Sequence, residues 1–596
     1  MSRQLGLSIL MFLALPAQLL AFELRFASSA GSSELNAELL AASLVAPLAD
    51  KADASPQDVL AAAQADYGRL IGTLYEEGYF APTINIGVNG REAAGISPLA
   101  SPGAIQTVAI TINPGARFQF GETAIAPIAR GTELPADFSR GAVAKTGTIR
   151  DAVEAGIEGW RAAGHAKADI AEQRLIARHP TRELDANIQL QPGPRLTFGN
   201  LVVRGNTSVR TGRIRDIAGL PSGRQFDPEE VRKATTRLRR TGAFKVAALS
   251  EAEKIGAGNT LNINAQIVEE KPRRFGFGAE ISSTDGLGLS GFWLHRNLFG
   301  GAERLRLEGE IEGIGGQTGG ADFKIGARFS RPATFNEDTD FFALTELESL
   351  DEESFSADRF KVEAGIRRYA SDQREYTFGL GLQHARTEDA FGVRDYTIFT
   401  LPASAEFDYR DDPLNAKAGY YVFASVTPFV AIEGTESGVR TYLDGRVYKT
   451  VGAAENLTFA LRGQLGSVSG PTLATAPADF LFYSGGGGTV RGQNYQSLGV
   501  DLGGGQEIGG RSFLGLSGEV RVKTGDKLSL VGFVDAGYVG AQAFPNGSDG
   551  DWHSGAGFGI RYDTGIGPIR VDLAVPVSGP GENSGFEVYI GIGQAF

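Results

Sequence analysis

From Arg273 to Phe596 apolar and polar residues alternate with a period of two, the spacing that puts successive side chains on opposite faces of a strand. Phe323, Ile325, Ala327 and Phe329 face one way, and Lys324, Gly326 and Arg328 the other. Leu457, Phe459 and Leu461 oppose Thr458, Ala460 and Arg462, and Ala556, Phe558, Ile560 and Tyr562 oppose glycines and Arg561. A soluble sandwich also alternates. Here the polar face is glycine-rich and charged in strand after strand, as expected of a barrel with a wet lumen and lipid outside. A closed barrel also satisfies every backbone polar group in lipid without a spanning helix. Sixteen such segments are counted, starting at Arg273 and ending with the one near Ser584, an even number that lets an antiparallel sheet close.

One connection stands apart. Ser467 to Gly510 is much longer than its neighbours and carries four consecutive glycines, Gly485 to Gly488, followed by Thr489-Val490-Arg491-Gly492-Gln493-Asn494-Tyr495. Backbone that rich in glycine cannot order itself, so surrounding structure must do so. Within Phe482–Gly499 the one full charge is Arg491. We read a loop folded into the lumen with Arg491 seeking a fixed anion; the plain alternative is a surface loop with a solvated arginine.

The amino-terminal half repeats a different design. Amphipathic helices end at Gly78, Gly164 and Gly242, and each is followed by a strand. Glycine takes the left-handed conformation that stops a helix, and spacings of 86 and 78 residues define a threefold unit. In the third copy a strand at Leu196–Val203 precedes a short helix near Arg210–Ala218. A second helix has Pro228 at its first position and Glu230 able to close a capping box, and strands Phe244–Leu249 and Leu261–Glu269 finish the β-α-α-β-β order. The basic run Arg232, Lys233, Arg237, Arg239 and Arg240 is either a contact for acidic lipid headgroups or the solvated face of a helix.

At 596 residues several domains are expected, and 81 glycines argue against a simple α/β enzyme. A net charge of −13 argues against nucleic acid as a partner. There are no cysteines, which removes thiolate metal sites. The five histidines, at 165, 179, 295, 384 and 553, have no metal-ligand spacing, and neither a Gly-x-Ser-x-Gly frame nor a phosphate loop is present. No catalytic residue, metal or cofactor is expected. Arg3, the apolar Leu5–Leu20 and Ala21 read as a signal peptide over residues 1–21, or else as a short anchor helix.

Phe482, Ser484-Gly485-Gly486 and Val490-Arg491-Gly492 resemble the sixth-loop signature of the outer-membrane assembly superfamily that joins POTRA domains to a barrel and includes BamA. Phe533-Val534-Asp535-Ala536-Gly537 resembles its Phe-x-Asp-x-Gly strand, Asp408–Leu414 its rim turn, and Gly559–Tyr562 with Ile566–Asp572 its penultimate hairpin. The repeats look like POTRA domains, and three of them resemble the TamA family best.

The resemblance implies POTRA units at 22–112, 113–193 and 194–271 and an outer-membrane barrel at 272–596, with the repeats in the periplasm. It implies that Arg491, flanked by Val490 and Gly492, pairs with Asp535 beside Phe533 and Gly537. Gln493-Asn494 departs from the pattern, in which an aromatic residue commonly follows, and Tyr495 is the candidate substitute. The lateral seam would lie between Arg273–Ser282 and Ser584–Phe596, where Gly591 and Gly593 let the last strand bend. Phe596, on the apolar face, resembles a barrel-insertion signal; otherwise it simply ends a strand.

Implied partners are unfolded outer-membrane or autotransporter proteins, outer-membrane lipid and a TamB-like inner-membrane-anchored protein, captured by lending a sheet edge unless the repeats are mere spacers. The implied function is assembly or secretion of autotransporter-type barrels. The alternatives are a BamA-like factor, a two-partner-secretion transporter, whose plug helix Ser32–Ala49 would have to supply although it lies within the first repeat, and a passive porin.

Overall fold

The computed structural model describes residues 22–29, 32–51, 53–98, 102–282, 286–315, 319–452, 455–565, 567–579 and 585–596. The expected signal peptide lies outside them. Two compact units divide the chain, the first running to Asn200 and including Pro221–Glu230 and Glu253–Asn262, the second made of Leu201–Leu220, Val231–Ala252 and Ile263–Phe596. The amino-terminal region is POTRA-like, with three small sheets, and a large antiparallel sheet follows.

In the first repeat, helix Pro56–Glu76 starts where the Ser55 hydroxyl accepts the Asp58 N–H and Pro56 occupies the first turn. Gly78, at φ +88°, ends it. Leu60, Ala63, Leu70 and Leu74 line the buried face against Ile86, Val108 and Ile110. Helices Ser33–Ala42 and Ala46–Ala49 add Leu35, Leu39 and Val45 to the same core, so the segment considered as a plug belongs to the first repeat. Buried Asp66 fixes the bend between them by accepting the Leu44 N–H at 2.7 Å and the Ser43 hydroxyl at 2.5 Å.

The second repeat departs from the β-α-α-β-β expectation. Strand Gln119–Ala126 is followed by irregular chain until helix Thr146–Ala162, because Pro127, Gly131 and Pro135 interrupt the place of the first helix. The third repeat has both helices, Thr211–Ala218 and Pro228–Arg240.

The barrel sheet comprises seventeen strand segments. Gly392–Thr400 and Ala403–Asp408 both pair with Arg374–Asp389 and with Ala418–Glu433, so they are one strand interrupted at Leu401-Pro402, and sixteen positions remain around the wall among the described residues. Outward side chains form an apolar band: Ile325, Val534, Phe558 and Ile590 are all more than half exposed. Such a surface belongs in hydrocarbon.

The basic run of the third repeat is only partly solvated: Arg232 and Arg239 are exposed, while Arg237 is not. Arg237 is buried and donates to both carboxylate oxygens of Asp338, at 2.8 and 2.7 Å, and to the Ala218 carbonyl at 3.1 Å. Arg232 pairs with Asp372 at 2.7 Å, and the Arg240 guanidinium lies 3.6 Å above the Tyr369 ring. Asp338 and Asp372 sit in short turns at the barrel rim nearest residue 273, so the barrel's own turns take up the charge of Arg232, Arg237 and Arg240.

Arg237→Ala is expected to loosen this contact by about 1–3 kcal/mol, the low end reflecting Asp338's partial exposure. Urea titration read by trypsin cleavage between Arg240 and Arg273 would measure it. Burial pushes the Asp338 carboxyl up, but hydrogen bonding and charge from Arg237 and the charge of Arg240 outweigh it and hold it below the usual carboxylate range. Its stabilisation is therefore complete above the unfolded value of about 3.9 and disappears as pH falls through the lowered folded value. Asp338→Asn should remove that acid-dependent step from the titration.

Candidate functional site

The long connection runs from Ser469 to Ser512 and turns into the barrel. Phe482 exchanges backbone hydrogen bonds with Gly510 and Ser484 with Leu498, which closes the base of the loop. Phe482 stacks between Tyr442 and Phe513. At the tip Gly485 and Gly486 take φ of +122° and +82°, and a Cβ on Gly485 would stand 2.1 Å from the Asn494 carbonyl. Only glycine fits there.

Arg491 is 2% exposed. Its Nε and Nη2 donate to Asp535 at 2.7 and 3.0 Å, its backbone N–H donates to the same carboxylate at 3.1 Å, and Nη1 reaches Glu519 at 2.7 Å and Asp572 at 3.5 Å. The guanidinium lies 3.6 Å over the Phe533 ring. Asp535 is 1% exposed while its neighbour Val534 is 60% exposed, as strand alternation requires of lumen and lipid faces.

The three carboxylates are shared with two further arginines. Arg521 donates to Glu519 at 2.9 Å, and Arg561 grips Asp572 at 2.5 and 3.2 Å. Three cations therefore meet three anions in a dry site. A lone buried charge would be very costly, whereas this set is balanced.

The wall is shaped for the loop. A Cβ at Gly555 would lie 2.0 Å from the Arg491 carbonyl, one at Gly537 2.2 Å from Ser484 Oγ, and one at Gly557 2.5 Å from the Phe533 ring. Over these strands the glycines of the inner face make dry contacts with the loop and its neighbours, which corrects the expectation of a wet lumen there. Val490 is fully buried against the same wall, and Gly492, at φ +91°, donates to the Tyr589 hydroxyl at 3.1 Å.

Tyr495 does not serve as the missing aromatic: it is 40% exposed. Gln493 docks instead, its amide donating to the Ser554 and Ser578 carbonyls at 2.8 Å each. Buried His553 contacts Ser484 Oγ at 2.7 Å. None of Glu519, Asp572, Arg521, Arg561 and Gln493 was assigned a role from sequence. The available signal was parity: Glu519 and Arg521 share one strand face, and Asp572 and Arg561 occupy polar positions of their strands.

The last strand, Glu587–Ile592, pairs with Gly567–Ser578. Gly591 leaves room for Arg570, whose Nε would be 3.0 Å from a Cβ there. At Gly593, φ +90°, the chain leaves the wall. Alternation ends with it, so Phe596 does not continue the outward face. It is buried with Ala416, Tyr448 and Ala460, and Arg521 Nη2 donates to its carbonyl at 3.3 Å. Gln594 receives a hydrogen bond from Arg561 at 2.9 Å. Among the described residues no pairing joins Arg273–Ser282 to Glu587–Ile592, and Phe277 is 88% exposed.

Residues 297–596 match the Omp85 superfamily domain. The chain is similar in structure to BamA from Haemophilus ducreyi lacking POTRA domains 1–3, with 16% identity and a TM-score of 0.61 over 79% of this chain and 98% of that one. CdiB from Acinetobacter baumannii matches with 10% identity and a TM-score of 0.49 over 79% and 88% of the two chains. CdiB from Escherichia coli matches with 12% identity and a TM-score of 0.48 over 90% and 98%.

Arg491→Ala strands buried Asp535 and leaves Glu519 and Asp572 with one arginine each, and is expected to cost about 3–5 kcal/mol, read as a lower thermal midpoint of loop docking. Arg491→Lys should recover only part of it, because an ammonium cannot reproduce the two-pronged contact. Gly555→Val should expel the loop while the barrel stays folded, so that trypsin cleaves after Arg491 in the variant and not in the parent.

Proposed function

Because the chain belongs to the Omp85 superfamily, we propose that it assembles other outer-membrane proteins, passing strands of autotransporter-type barrels through a lateral seam in its own wall. The observation that carries this reading is the end of the barrel sheet. The terminal strand is short, the chain turns inward at Gly593, and the edge of Arg273–Ser282 has no strand partner among the described residues. An unpaired edge templates an incoming strand. Strand addition there needs no nucleotide, since an edge without a partner strand gains hydrogen bonds to the substrate and breaks none in the wall.

The loop supplies the control. Gly492 holds Tyr589 of the terminal strand, and Arg521 and Arg561 hold Phe596 and Gln594, so the ion network on Arg491 sets how far the last strand bends inward. A passive diffusion pore has no use for a lumen filled in this way. Of the superfamily's members the TamA type fits best, on the strength of three POTRA-like repeats. The repeats would sit in the periplasm.

The edge of Thr83–Asn85, beyond the cap that Tyr67 and Glu92 place on the Ile86 backbone, is the proposed dock for a TamB-like partner. Strand Asp169–Arg178, at the edge of the second sheet, is the proposed substrate cradle.

The absence of cysteine makes the test clean. Engineered cysteine pairs joining Arg273–Ser282 to Glu587–Ile592 should stop assembly of an autotransporter substrate when oxidised and restore it on reduction. Full activity with the strands locked would eliminate the seam mechanism.

A further inference from the structure

At the barrel rim nearest residue 273 the inner wall carries a second charged site, which the loop does not touch. A cavity of about 280 Å³ is lined by Arg304, Arg306, Arg328 and Arg367 from the wall and Arg240 from the last helix of the third repeat, with Asp340 its one acid. Strand register explains the crowding. Arg306 stands directly opposite Arg328, and Asp340 opposite Arg367. Like charges facing each other across a strand pair are destabilising, and here they point into a narrow concavity.

Part of that charge is already balanced. Arg306 donates to Glu308 at 2.5 Å, and Arg367 Nε lies 2.9 Å from Glu375 though without hydrogen-bond alignment. Arg240 shares Asp338 with Arg237. Asp340 accepts the Ala333 N–H at 3.3 Å. Arg304 and Arg328 have no carboxylate within 4.0 Å among the described residues. Glu346 and Glu363, the next acids acting on Arg328, are themselves paired with Lys361, so Arg304 and Arg328 are the two lining guanidiniums without a close carboxylate among the described residues. Phe342, with Arg328 5.1 Å from its ring centroid, and Tyr369 close the apolar sides.

We propose that this cavity binds a phosphate-class oxyanion. A phosphomonoester carries about −1.5 to −2 charges at pH 7, enough for the two guanidiniums that lack a carboxylate partner, and its tetrahedral oxygens accept from several guanidinium forks at once. A single carboxylate would leave one arginine uncompensated. The space holds a headgroup or a free phosphate and is too small for a structured peptide. Because Arg240 and Thr241 belong to the third repeat while the other lining residues belong to the wall, occupancy ties the end of helix Pro228–Arg240 to the barrel. This site is independent of the seam and of the Arg491 network.

The test uses the full chain in phosphate-free maltoside micelles, titrated by calorimetry with inorganic phosphate and, separately, with dihexanoyl-phosphatidylglycerol. Saturable binding of either, weakened about tenfold or more in R304Q/R328Q and unchanged in R386Q on the exposed outer region, is the expected result. Preference for the lipid-borne form assigns the source to the membrane, and preference for the free ion assigns it to solution.

Should the double variant fail to fold, a spin label on Ser330→Cys, in the cavity lining, should broaden the 31P resonance of bound phosphate in an otherwise native chain. Absence of saturable binding, binding undiminished in the double variant, no broadening from the label, or tighter binding of a tetraglutamate peptide than of both phosphates would each overturn the proposal.

Discussion

The Arg491 guanidinium, held among Asp535, Glu519 and Asp572, is the interaction on which the rest of the barrel interior depends. An arginine and three carboxylates removed from water would be intolerable singly. Together with Arg521 and Arg561 they form a neutral set, and the network gains its worth from specificity rather than from net stabilisation. One loop conformation places Arg491 where all three acids can be reached. The glycines at 537, 555 and 557 then follow as a steric requirement, since a methyl group at any of them would occupy space that the loop or a neighbouring side chain already fills.

From that site the constraint travels through short chains of hydrogen bonds to the end of the chain. Glu519 holds Arg521, which reaches the Phe596 carbonyl, and Asp572 holds Arg561, which reaches Gln594. Gly492 reaches Tyr589 directly. The last strand is thus stitched to the loop on its inner side while its outer edge lacks a partner strand among the described residues. A seam without strand pairing among the described residues, held from inside by a loop, is the geometry on which the proposed lateral opening rests.

The architecture was legible because its signals are redundant. Period-two alternation recurs in sixteen segments, so an error in one does not move the fold, and the glycine stops at 78, 164 and 242 each take the positive φ that their position after a helix requires. The site was legible only in part. Arg491 stood out as the lone charge in a glycine tract, and the resemblance pointed to Asp535, but Glu519 and Asp572 are ordinary alternating residues until the loop arrives between them.

The place of Phe596 and the partners of the basic helix escaped the sequence for different reasons. Phe596 lies on the apolar face of its strand by parity, yet the backbone turns at Gly593, and parity carries no information across a residue that leaves the strand. The basic helix Pro228–Arg240 reads as a solvated or lipid-facing surface because its partners, Asp338 and Asp372, lie about a hundred residues or more away. Local sequence does not encode that distance. The missing helix of the second repeat was the reverse case: Pro127, Gly131 and Pro135 were visible, and the repeat pattern outweighed them.

Peptide-resolved hydrogen exchange on the full chain in lipid nanodiscs addresses the central claim most directly. Slow exchange is predicted for the loop segment Phe482–Leu498 and for the interior strand Ser512–Lys523, with faster exchange in both Arg273–Ser282 and Glu587–Ile592. Terminal strands protected as well as the interior ones, or a loop exchanging as freely as solvent-exposed chain, would contradict it.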